Sequence, residues 1–546
     1  MSKNKQKQGK TKQVVINNFI DDTLGKYFWL IIPILTAVYF ISSRFSVGFY
    51  QDDEISQYIN MIDFWVNPSV ILGNAPKPGW KIFMVLPALV SYDFVLIFNS
   101  FIASLTVFMT YKMLRVYQLK NAFIGALLLA VQPLYFDLSF RSYPEIFTAL
   151  TFAFFFIAIK KEKYFLCALI AGYIYTVRQE IAILLVILFF YFLYKKKYIA
   201  IIGLAIAPLI YNILGFLKTG DPIYVISEMF KVAGLEYRTQ GPLHYFKFYI
   251  FIIGPISLTL FLNGFFSFTV MGRRYKTFLL DNFWFYAVFL IVFISQILTT
   301  LGSGPNPGNW RYLLHLSPIC IYFAVIGLNN IADSKYRIYS YVVPAILLFL
   351  TLLFLSKVSD GYVFKEPPQQ DFTKAVFILL YFIIISIFSY KKDVNYLGKV
   401  SILLFLVSVL YLIVDFKPKQ LSQENLTMQK SAEFISGINI PEDSKIFTNH
   451  FLVRFFYKNY RVNPLKFYPI YSNRYLNKDT TLYYIENAPP GSIVVWEPHY
   501  SFRIYNKDTV GIEEKVILTD TVRFQLLQQI ISPDKKSFYT YIFQKK

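Results

Sequence analysis

The stretch "YFWLIIPILTAVYFISSRFSVGFYQDDEISQY", residues 27 to 58, joins a long apolar run to an acidic cluster. The run is long enough to cross a bilayer. No small-residue cleavage site follows it, so we expect a retained anchor and not a removed signal peptide. The three adjacent carboxylates of Asp52, Asp53 and Glu54 come directly after it. Carboxylates at such a position are costly unless they face water or serve a function.

The composition is that of a membrane protein. The chain has 546 residues, of which 55% are hydrophobic, 19% aromatic and only 16% charged. This is too apolar for an ordinary soluble domain. The net charge of +21 would fit nucleic-acid binding, but most of the excess lies in short loops between apolar runs. We therefore expect membrane lipids and no nucleic acid as partners.

Apolar runs recur along most of the chain and predict an α-helical polytopic membrane protein with about thirteen spans. Lysines and arginines concentrate in alternate loops and in the tail 1–26, which the positive-inside rule makes cytoplasmic. We expect a multi-pass protein of a prokaryotic plasma (inner) membrane. The predicted spans are roughly 27–45, 92–111, 121–138, 144–159, 164–177, 181–194, 198–217, 248–270, 282–300, 313–330, 338–356, 373–390 and 398–415.

The other loops, including loop 46–91, and the carboxy-terminal part 416–546 are then extracytoplasmic. The carboxy-terminal part carries more charge, turn signals such as "INIPEDSK" and "NAPPGS", and strand-like runs such as "GSIVVW" and "FYTYIF". These features predict a small soluble α/β domain that follows a transmembrane module of residues 27–415.

A short amphipathic helix is predicted after the acidic cluster. Its apolar positions recur at helical spacing, at Ile55, Tyr58, Ile59, Ile62, Trp65 and Val66. Such a helix can lie at the membrane interface, with the carboxylates at its amino terminus, where the helix dipole favours anions. The carboxylates could cap this helix and stay solvated, but three of them together favour a chemical role.

Several basic residues lie on the same predicted face. Lys77, in "NAPKPGWK", suits a lipid phosphate, although a lysine whose stem covers the membrane surface would look the same. The stretches "SFRSYPEIF" and "YTVRQEIA" each bring an arginine near a glutamate, at Arg141 and Glu145 and at Arg178 and Glu180. These charges either pair within their own hairpins or line a shared polar cavity.

The stretch "GSGPNPGNWRYLLHLSP", residues 302 to 318, brings Arg311, Tyr312 and His315 to the mouth of the tenth span. It lacks the lysine-serine ending of a phosphate-binding loop. The planar fork of Arg311 nevertheless matches phosphate oxygens. A histidine one turn further in, such as His315, is more often a buried hydrogen-bonded residue than a catalyst.

In their order and sidedness, these residues resemble the type-C (GT-C) glycosyltransferases. These polytopic enzymes use lipid-phosphate-linked sugars. Within them, the chain is most similar to the protein O-mannosyltransferases and lipid A aminoarabinose transferases, the glycosyltransferase 39-like group. The resemblance covers roughly residues 25 to 330 and rests on Asp53–Glu54 with Tyr58, "KPG" at 77–79, Pro144–Glu145, Arg178–Glu180, "GDPIY" at 220–224 and the "RYLL" element from Arg311 to Pro318.

The resemblance implies a GT-C fold and an inverting glycosyltransferase. The enzyme would move a hexose or pentose from a polyprenyl-phosphate donor to a hydroxyl of a glycan, lipid or protein on the extracytoplasmic face. Asp53 is the expected general base, with Asp52 as the second choice. Lys77 and Arg311 would stabilise the departing phosphate. The further substrate contacts that the resemblance implies are Glu54, Tyr58, Glu145, Arg178, Glu180, Tyr312 and His315.

The chain departs from the family pattern at two positions. Gly79 stands where the family has a second proline, and Asp52 is an additional acid. The scheme needs no cofactor, and it leaves open a divalent ion at Asp52 and Asp53.

Two other classes of protein fit part of the sequence. A transporter of a lipid-linked or small anionic solute would also carry charges at its span ends, but such proteins often show internal repeats, and we find no convincing repeat here. A membrane assembly protein would leave the acidic cluster unexplained. The transferase therefore remains the preferred hypothesis.

Overall fold

The computed structural model describes residues 21–546 apart from positions 22, 50 and 74–75 and segments 234–240, 302–307, 333–336, 355–356, 359–363, 366–370, 391–395, 458–466, 469–482 and 506–507. The chain is mainly helical, with a small sheet near its carboxy terminus, as predicted. The first half contains α1 (Ile31–Phe45), α2 (Asp52–Asp63), α3 (Pro78–Val90), α4 (Tyr92–Val116), α5 (Ala122–Ala130), α6 (Pro133–Leu138), α7 (Pro144–Lys160), α8 (Tyr164–Tyr175), α9 (Ala182–Tyr194), α10 (Tyr198–Thr219), α11 (Tyr224–Ala233), α12 (His244–Ile253) and α13 (Pro255–Phe265).

The second half adds helices and strands. Its helices are α14 (Tyr275–Asp281), α15 (Phe283–Leu301), α16 (Ser317–Asn330), α17 (Tyr339–Leu353), α18 (Thr373–Tyr390), α19 (Tyr396–Asp415), α20 (Gln423–Gly437), α21 (Phe451–Phe456) and α22 (Glu514–Thr519). Its strands are β1 (Lys357–Val358), β2 (Phe364–Lys365), β3 (Ile446–Phe447), β4 (Phe467–Tyr468), β5 (Ile493–Trp496), β6 (Phe502–Tyr505), β7 (Asp508–Gly511), β8 (Phe524–Ile531) and β9 (Tyr539–Lys545). The 3-10 turns are Leu24–Leu30, Pro68–Ile71, Gln179–Ile181, Ser267–Val270, Gly272–Arg274 and Trp310–Leu316.

The helices make this a multi-pass membrane protein. Among the described residues, six helices are long and apolar enough to cross a membrane, or seven if one bent pair counts as a span. Shorter apolar helices of 10–17 residues, such as α8 and α17, accompany them. The exact number of thirteen predicted spans is therefore not confirmed.

Two predicted spans are broken. The predicted span 121–138 is divided between α5 and α6, because Pro133 starts a new helix. The predicted span 248–270 bends by 116° between α12 and α13. Gly254, at φ +81°, and Pro255 cause this bend, since a left-handed residue ends a helix and a proline fits only its first turn. Loop 46–91 also contains an apolar helix that was not predicted, α3.

Close helix crossings hold the apolar bundle together. A Cβ atom on Gly264 of α13 would lie 1.8 Å from the carbonyl oxygen of Phe323 in α16. Gly327 of α16 meets the carbonyl of Leu260 in the same way, at 2.0 Å. Glycines therefore let the two backbones touch, which is a common way of packing helices in membranes. Helix α16 continues directly from the turn Trp310–Leu316, so this crossing also supports that turn.

The carboxy-terminal domain is an α/β structure, as predicted. Its main sheet has the order β4-β3-β5-β9-β8. The two runs predicted as strands, β5 and β9, pair antiparallel, with Val494 opposite Phe543. Helices α20 and α21 lie between this sheet and the membrane bundle, and their buried residues, including Met428 and Leu452, belong to the same apolar core as the bundle.

Candidate active site

The candidate site is organised by α2, which begins at the acidic cluster. The predicted amphipathic helix is confirmed, and its apolar face is buried, with Ile55 and Ile59 at most 1% exposed. It ends at Asp63, so Trp65 and Val66 lie beyond it. Successive residues of a helix point about 100° apart. This places the side chains of Asp53 and Glu54 in different surroundings.

Glu54 anchors the start of α2 to the membrane bundle. Its carboxylate is fully buried and accepts hydrogen bonds from Arg141, one of them from Nε at 2.8 Å. Arg141 also donates to Asp137 at 3.0 Å and to Gln51 at 2.9 Å. Burial raises the pKa of the Glu54 carboxyl, although the Arg141 guanidinium opposes that shift. The pair therefore fixes the helix and leaves the neighbouring acid accessible.

Asp53 is that accessible acid. Its side chain is 59% exposed, and its Oδ2 accepts a hydrogen bond of 2.7 Å from Nη2 of Arg311. The same guanidinium lies 3.5 Å from the buried carboxylate of Glu145 and 4.2 Å from the ring centroid of Tyr143. Arg311 thus lies between an exposed and a buried carboxylate, on an aromatic surface.

A second arginine extends this charge cluster. Arg178 donates to Glu145 and lies 3.5 Å from Glu180. Its guanidinium stacks 5.1 Å from the ring centroid of Tyr312, and that ring also lies 5.5 Å from the Arg311 guanidinium. The two sequence hairpins therefore share one polar cluster, because Glu145 from one of them binds Arg178 from the other.

Lys77 belongs to the same cluster. It is half-buried and adopts a left-handed conformation, φ 59°, at the start of α3. The charges of Arg178, Glu180, Glu145 and Arg311 all act on its ammonium. Burial, followed by the positive charge of Arg178, lowers the pKa of Lys77 to about 8.

The contacts of Gly79 explain why a glycine stands here instead of the second proline of the family pattern. A Cβ atom at this position would lie 2.0 Å from Oγ1 of Thr176 and 2.9 Å from a methyl of Val177. The Gly79 amide donates to the Thr176 carbonyl at 3.4 Å, and the Tyr173 hydroxyl donates to the Gly79 carbonyl. A proline would clash and would lack that amide donor. The contact holds Lys77 close to Arg178.

The start of helix α12 contacts the backbone just before Arg311 and supports the turn that carries it. Nε2 of His244 lies 2.6 Å from the Gly308 carbonyl, and the Tyr245 hydroxyl donates to the Asn309 carbonyl at 3.2 Å. The side chain of Asn309 accepts from the Arg311 amide at 3.1 Å and so caps the turn that carries the arginine. The first two residues of α12 therefore support the turn that carries Arg311.

The remaining predicted residues lie in different places. Tyr58 is buried among the rings of Phe49, Tyr92 and Phe455, which favours a packing role. His315 is fully buried with its ring against Phe152, one turn beyond Arg311. Asp52 is the first residue of α2, and its side chain lies outside the described part of the structure.

Sequence reasoning did not select Gln51 and Tyr143, which the cluster uses. Gln51 accepts from both Arg141 and Tyr143, and the Tyr143 ring supports Arg311. Arg141 was visible as a charge at a span end, but its pairing with Glu54 crosses 87 positions of sequence. Gln51 and Tyr143 gave no signal, because an amide or a phenol beside a span is common.

The arrangement combines an accessible carboxylate with cationic groups. The guanidinium groups of Arg311 and Arg178 both contact Glu145, whose charge also acts on the ammonium of Lys77, and Asp53 lies at the solvent side of Arg311. Guanidinium and ammonium groups bind phosphate oxygens, and a carboxylate can accept a proton from a hydroxyl. Within the described residues, no group of three or more histidine, cysteine, aspartate or glutamate side chains is arranged to hold a metal ion.

Comparison with known proteins supports the fold. The chain superposes on the crystal structure of ArnT from Cupriavidus metallidurans bound to undecaprenyl phosphate with a TM-score of 0.57 and 12% identity, covering 95% of this chain and 98% of that one. The apo structure of the same protein gives a TM-score of 0.57 at 11% identity with the same coverage. ArnT is a lipid A aminoarabinose transferase of the GT-C class, so the predicted fold is confirmed. No family model and no curated sequence matches the chain.

Proposed function

We propose that the protein is an inverting membrane glycosyltransferase that moves a monosaccharide from a polyprenyl-phosphate donor to a hydroxyl acceptor. The acceptor would be a glycan, a lipid or a protein at the extracytoplasmic face of a plasma membrane. The observation that carries this proposal is the contact of Asp53 with Arg311, which joins an exposed carboxylate to a cluster of three cations. A transferase of this kind needs both groups within the reach of one sugar phosphate.

The chemistry follows from these two groups. Asp53 accepts the proton of the acceptor hydroxyl, and the hydroxyl oxygen attacks the sugar carbon that bears the phosphate. The bond between that carbon and the phosphate oxygen breaks, and its electron pair leaves with the polyprenyl phosphate. The attack comes from the opposite face, so the carbon is inverted. Arg311, Arg178 and Lys77 stabilise the charge that develops on the leaving phosphate.

Arg311 has a second part in the scheme. Without substrate, its Nη2 group donates a hydrogen bond to the Asp53 carboxylate and occupies an oxygen that would otherwise accept the proton of the acceptor hydroxyl. A donor phosphate would compete for the same Nη2 donor and release the carboxylate. The base would then become fully available only when the donor is bound, which limits the wasteful hydrolysis of a donor by water.

The experiment that tests the function is a transfer assay. Membranes that contain the full chain are supplied with radiolabelled undecaprenyl-phosphate sugars, and mass analysis identifies the lipid, glycan or protein that gains the sugar. Membranes with the Asp53→Asn variant serve as the control. Label transfer that depends on Asp53 supports the proposal, whereas solute uptake without any transfer supports the transporter hypothesis.

The scheme uses no cofactor. We therefore expect EDTA to leave the transfer rate unchanged. A loss of activity that a divalent cation restores would instead indicate a bound ion, with Asp52 and Asp53 as the first candidates.

A further inference from the structure

The carboxy-terminal domain contacts the active-site helix directly. Helix α21 of this domain packs against α2. Nη2 of Arg454 in α21 donates to both carboxylate oxygens of Asp63, at 3.2 and 3.0 Å. Asp63 is the last residue of α2, and Asp53 lies near the first. Both side chains of the pair are about one-fifth exposed, so solvent screens it only in part.

An aromatic contact supports the same junction. The ring centroid of Phe455 lies 5.8 Å from that of Tyr58 in α2 and 5.3 Å from that of Tyr92 in α4. The Tyr92 hydroxyl accepts a 2.7 Å hydrogen bond from the amide of Phe49, just before α2. The domain thus contacts the middle and the end of the helix that carries Asp53, and it packs on Tyr92, which binds the segment just before that helix.

Asp63 also faces a buried cation. Lys81 of α3 is fully buried, and its Nζ has no hydrogen-bond partner within the described residues. The carboxylate of Asp63 is the charge that acts on this ammonium. A buried ammonium without a compensating charge is strongly unfavourable. Lys81 lies one turn after Lys77, so Asp63 connects the helix of the expected base to the helix that follows the phosphate-binding lysine.

We infer that Asp63 and Arg454 are positioning residues, through which the carboxy-terminal domain holds α2 and α3 in the geometry that transfer requires. The inference rests on the proposed function and gives this domain a part in it. A helix of 12 residues acts as a stiff lever, so a small movement at Asp63 displaces Asp53. A displacement of roughly 1 Å can lower a reaction rate by about 100-fold.

The test uses the full chain in detergent, with the variant Arg454→Gln and the conservative variant Arg454→Lys. Hydrogen–deuterium exchange is followed in the peptides that cover α2. We expect amides of α2 to exchange about tenfold faster in Arg454→Gln, with most of the protection restored in Arg454→Lys. Arg523→Gln is the matched control, since Arg523 pairs with Glu486 and Asp520 inside the same domain. Unchanged exchange of α2 in Arg454→Gln would overturn the inference.

Transfer kinetics separate positioning from folding. We expect kcat per folded molecule to fall about 100-fold in Arg454→Gln. The affinity for undecaprenyl phosphate should fall much less than kcat, because Arg311 and Arg178 lie outside α2 and α3 and only Lys77 is at the start of α3. Normal kcat in this variant would contradict the inference while leaving the proposed function intact. If the unmodified chain transfers no sugar, the proposed function fails, and the exchange measurement still tests the junction.

A second pair of variants guards against loss of folding. Asp63→Asn leaves Lys81 without its carboxylate, so we expect a lower melting temperature. Adding Lys81→Met removes the buried charge and should restore the melting temperature. Turnover should stay low in the double variant, because Arg454 still lacks its partner. Recovery of turnover together with stability would mean that Asp63 acts only on folding.

Discussion

At the residue scale, the neighbouring acids Asp53 and Glu54 lie in different surroundings. Glu54 is buried against Arg141, whereas Asp53 is exposed and bound to Arg311. The sequence predicted that this acidic cluster lies at a helix start and proposed Asp53 as the general base, with Asp52 as the second choice. It could not predict which acid is buried, because that depends on a contact with Arg141 that no local pattern encodes.

The variant Glu54→Gln tests whether the buried pair of Glu54 and Arg141 stabilises the fold. The change leaves the buried Arg141 without its charge partner, so we expect a loss of about 3–5 kcal/mol in the free energy of unfolding. Denaturant unfolding of the purified protein measures it. The matched control is Asp93→Asn, which removes an exposed pair with Arg44 and should cost about 1 kcal/mol or less. Equal effects of the two variants would contradict the anchoring role of Glu54.

Lys77 predicts a pH dependence of the reaction. Burial and Arg178 lower its pKa to about 8, so the ammonium proposed to bind phosphate is present below this pH and is lost above it. We expect kcat/KM to decline as the pH rises through about 8, and the Lys77→Arg variant to remove this decline, because arginine stays charged. Initial rates between pH 6 and about 10 measure it. The same alkaline limb in Lys77→Arg would assign the titration to another group.

The effect of Lys77 on stability has the opposite sign. Its pKa in the folded protein lies below its ordinary value of 10.5, so the unfolded chain binds more protons between about pH 8 and that value. Its contribution to the free energy of unfolding therefore rises with pH in this window. Activity and stability should consequently diverge above about pH 8.

At the scale of elements, α3 packs closely against the end of α8, and this contact holds the proposed phosphate-binding residue Lys77 near Arg178. Gly79→Ala would bring a methyl group within 2.0 Å of Oγ1 of Thr176. We expect a loss of roughly 1–3 kcal/mol in stability and reduced transfer, because α3 must move away from Arg178. Thermal unfolding and initial rates measure both effects.

Two further variants make this test specific. Gly437→Ala is the control, since no atom lies within 4 Å of the added Cβ. Combining Gly79→Ala with Thr176→Ala removes the closest clash and should recover part of the activity. A Gly79→Ala variant as active and stable as the control would show that the contact is unimportant.

The helix breaks show what hydropathy does not predict. Apolar runs locate segments, and the starts of α4, α7, α8, α10 and α18 agree closely with them. The bend after α12 was missed, although Gly254 and Pro255 together are a strong signal for a break. The apolar helix α3 was also missed, because thirteen residues are too few for a span and the prolines around Lys77 favoured a loop.

At the scale of the whole molecule, the distribution of positive charge predicts which side is cytoplasmic. Cys167 and Cys320 are both buried, so an introduced cysteine can be labelled selectively. We expect a membrane-impermeant maleimide to label Val522→Cys on intact cells, because this residue is 83% exposed in the carboxy-terminal domain. Lys196→Cys, in a basic loop, should react only after the cells are opened. The reverse pattern would invert the topology.

The structural likeness to ArnT is much stronger than the sequence likeness. Identity to ArnT is 12%, yet the superposition covers 95% of this chain. An apolar bundle tolerates many substitutions that keep volume and pattern, whereas a charge cluster depends on particular residues. The motifs around Asp53, Lys77, Glu145 and Arg311 therefore allowed the fold to be predicted from the sequence. The carboxy-terminal domain has no such motif, and only its α/β class was predicted.

The most direct test of the central claim separates binding from transfer. Affinity for undecaprenyl phosphate and sugar transfer are measured for Asp53→Asn and Arg311→Gln. Asp53→Asn should bind the lipid phosphate at least as tightly as the unmodified chain, because Arg311 is released, but it should transfer no sugar. Arg311→Gln should lose both binding and transfer. Full transfer by Asp53→Asn, or undiminished binding by Arg311→Gln, would contradict the account.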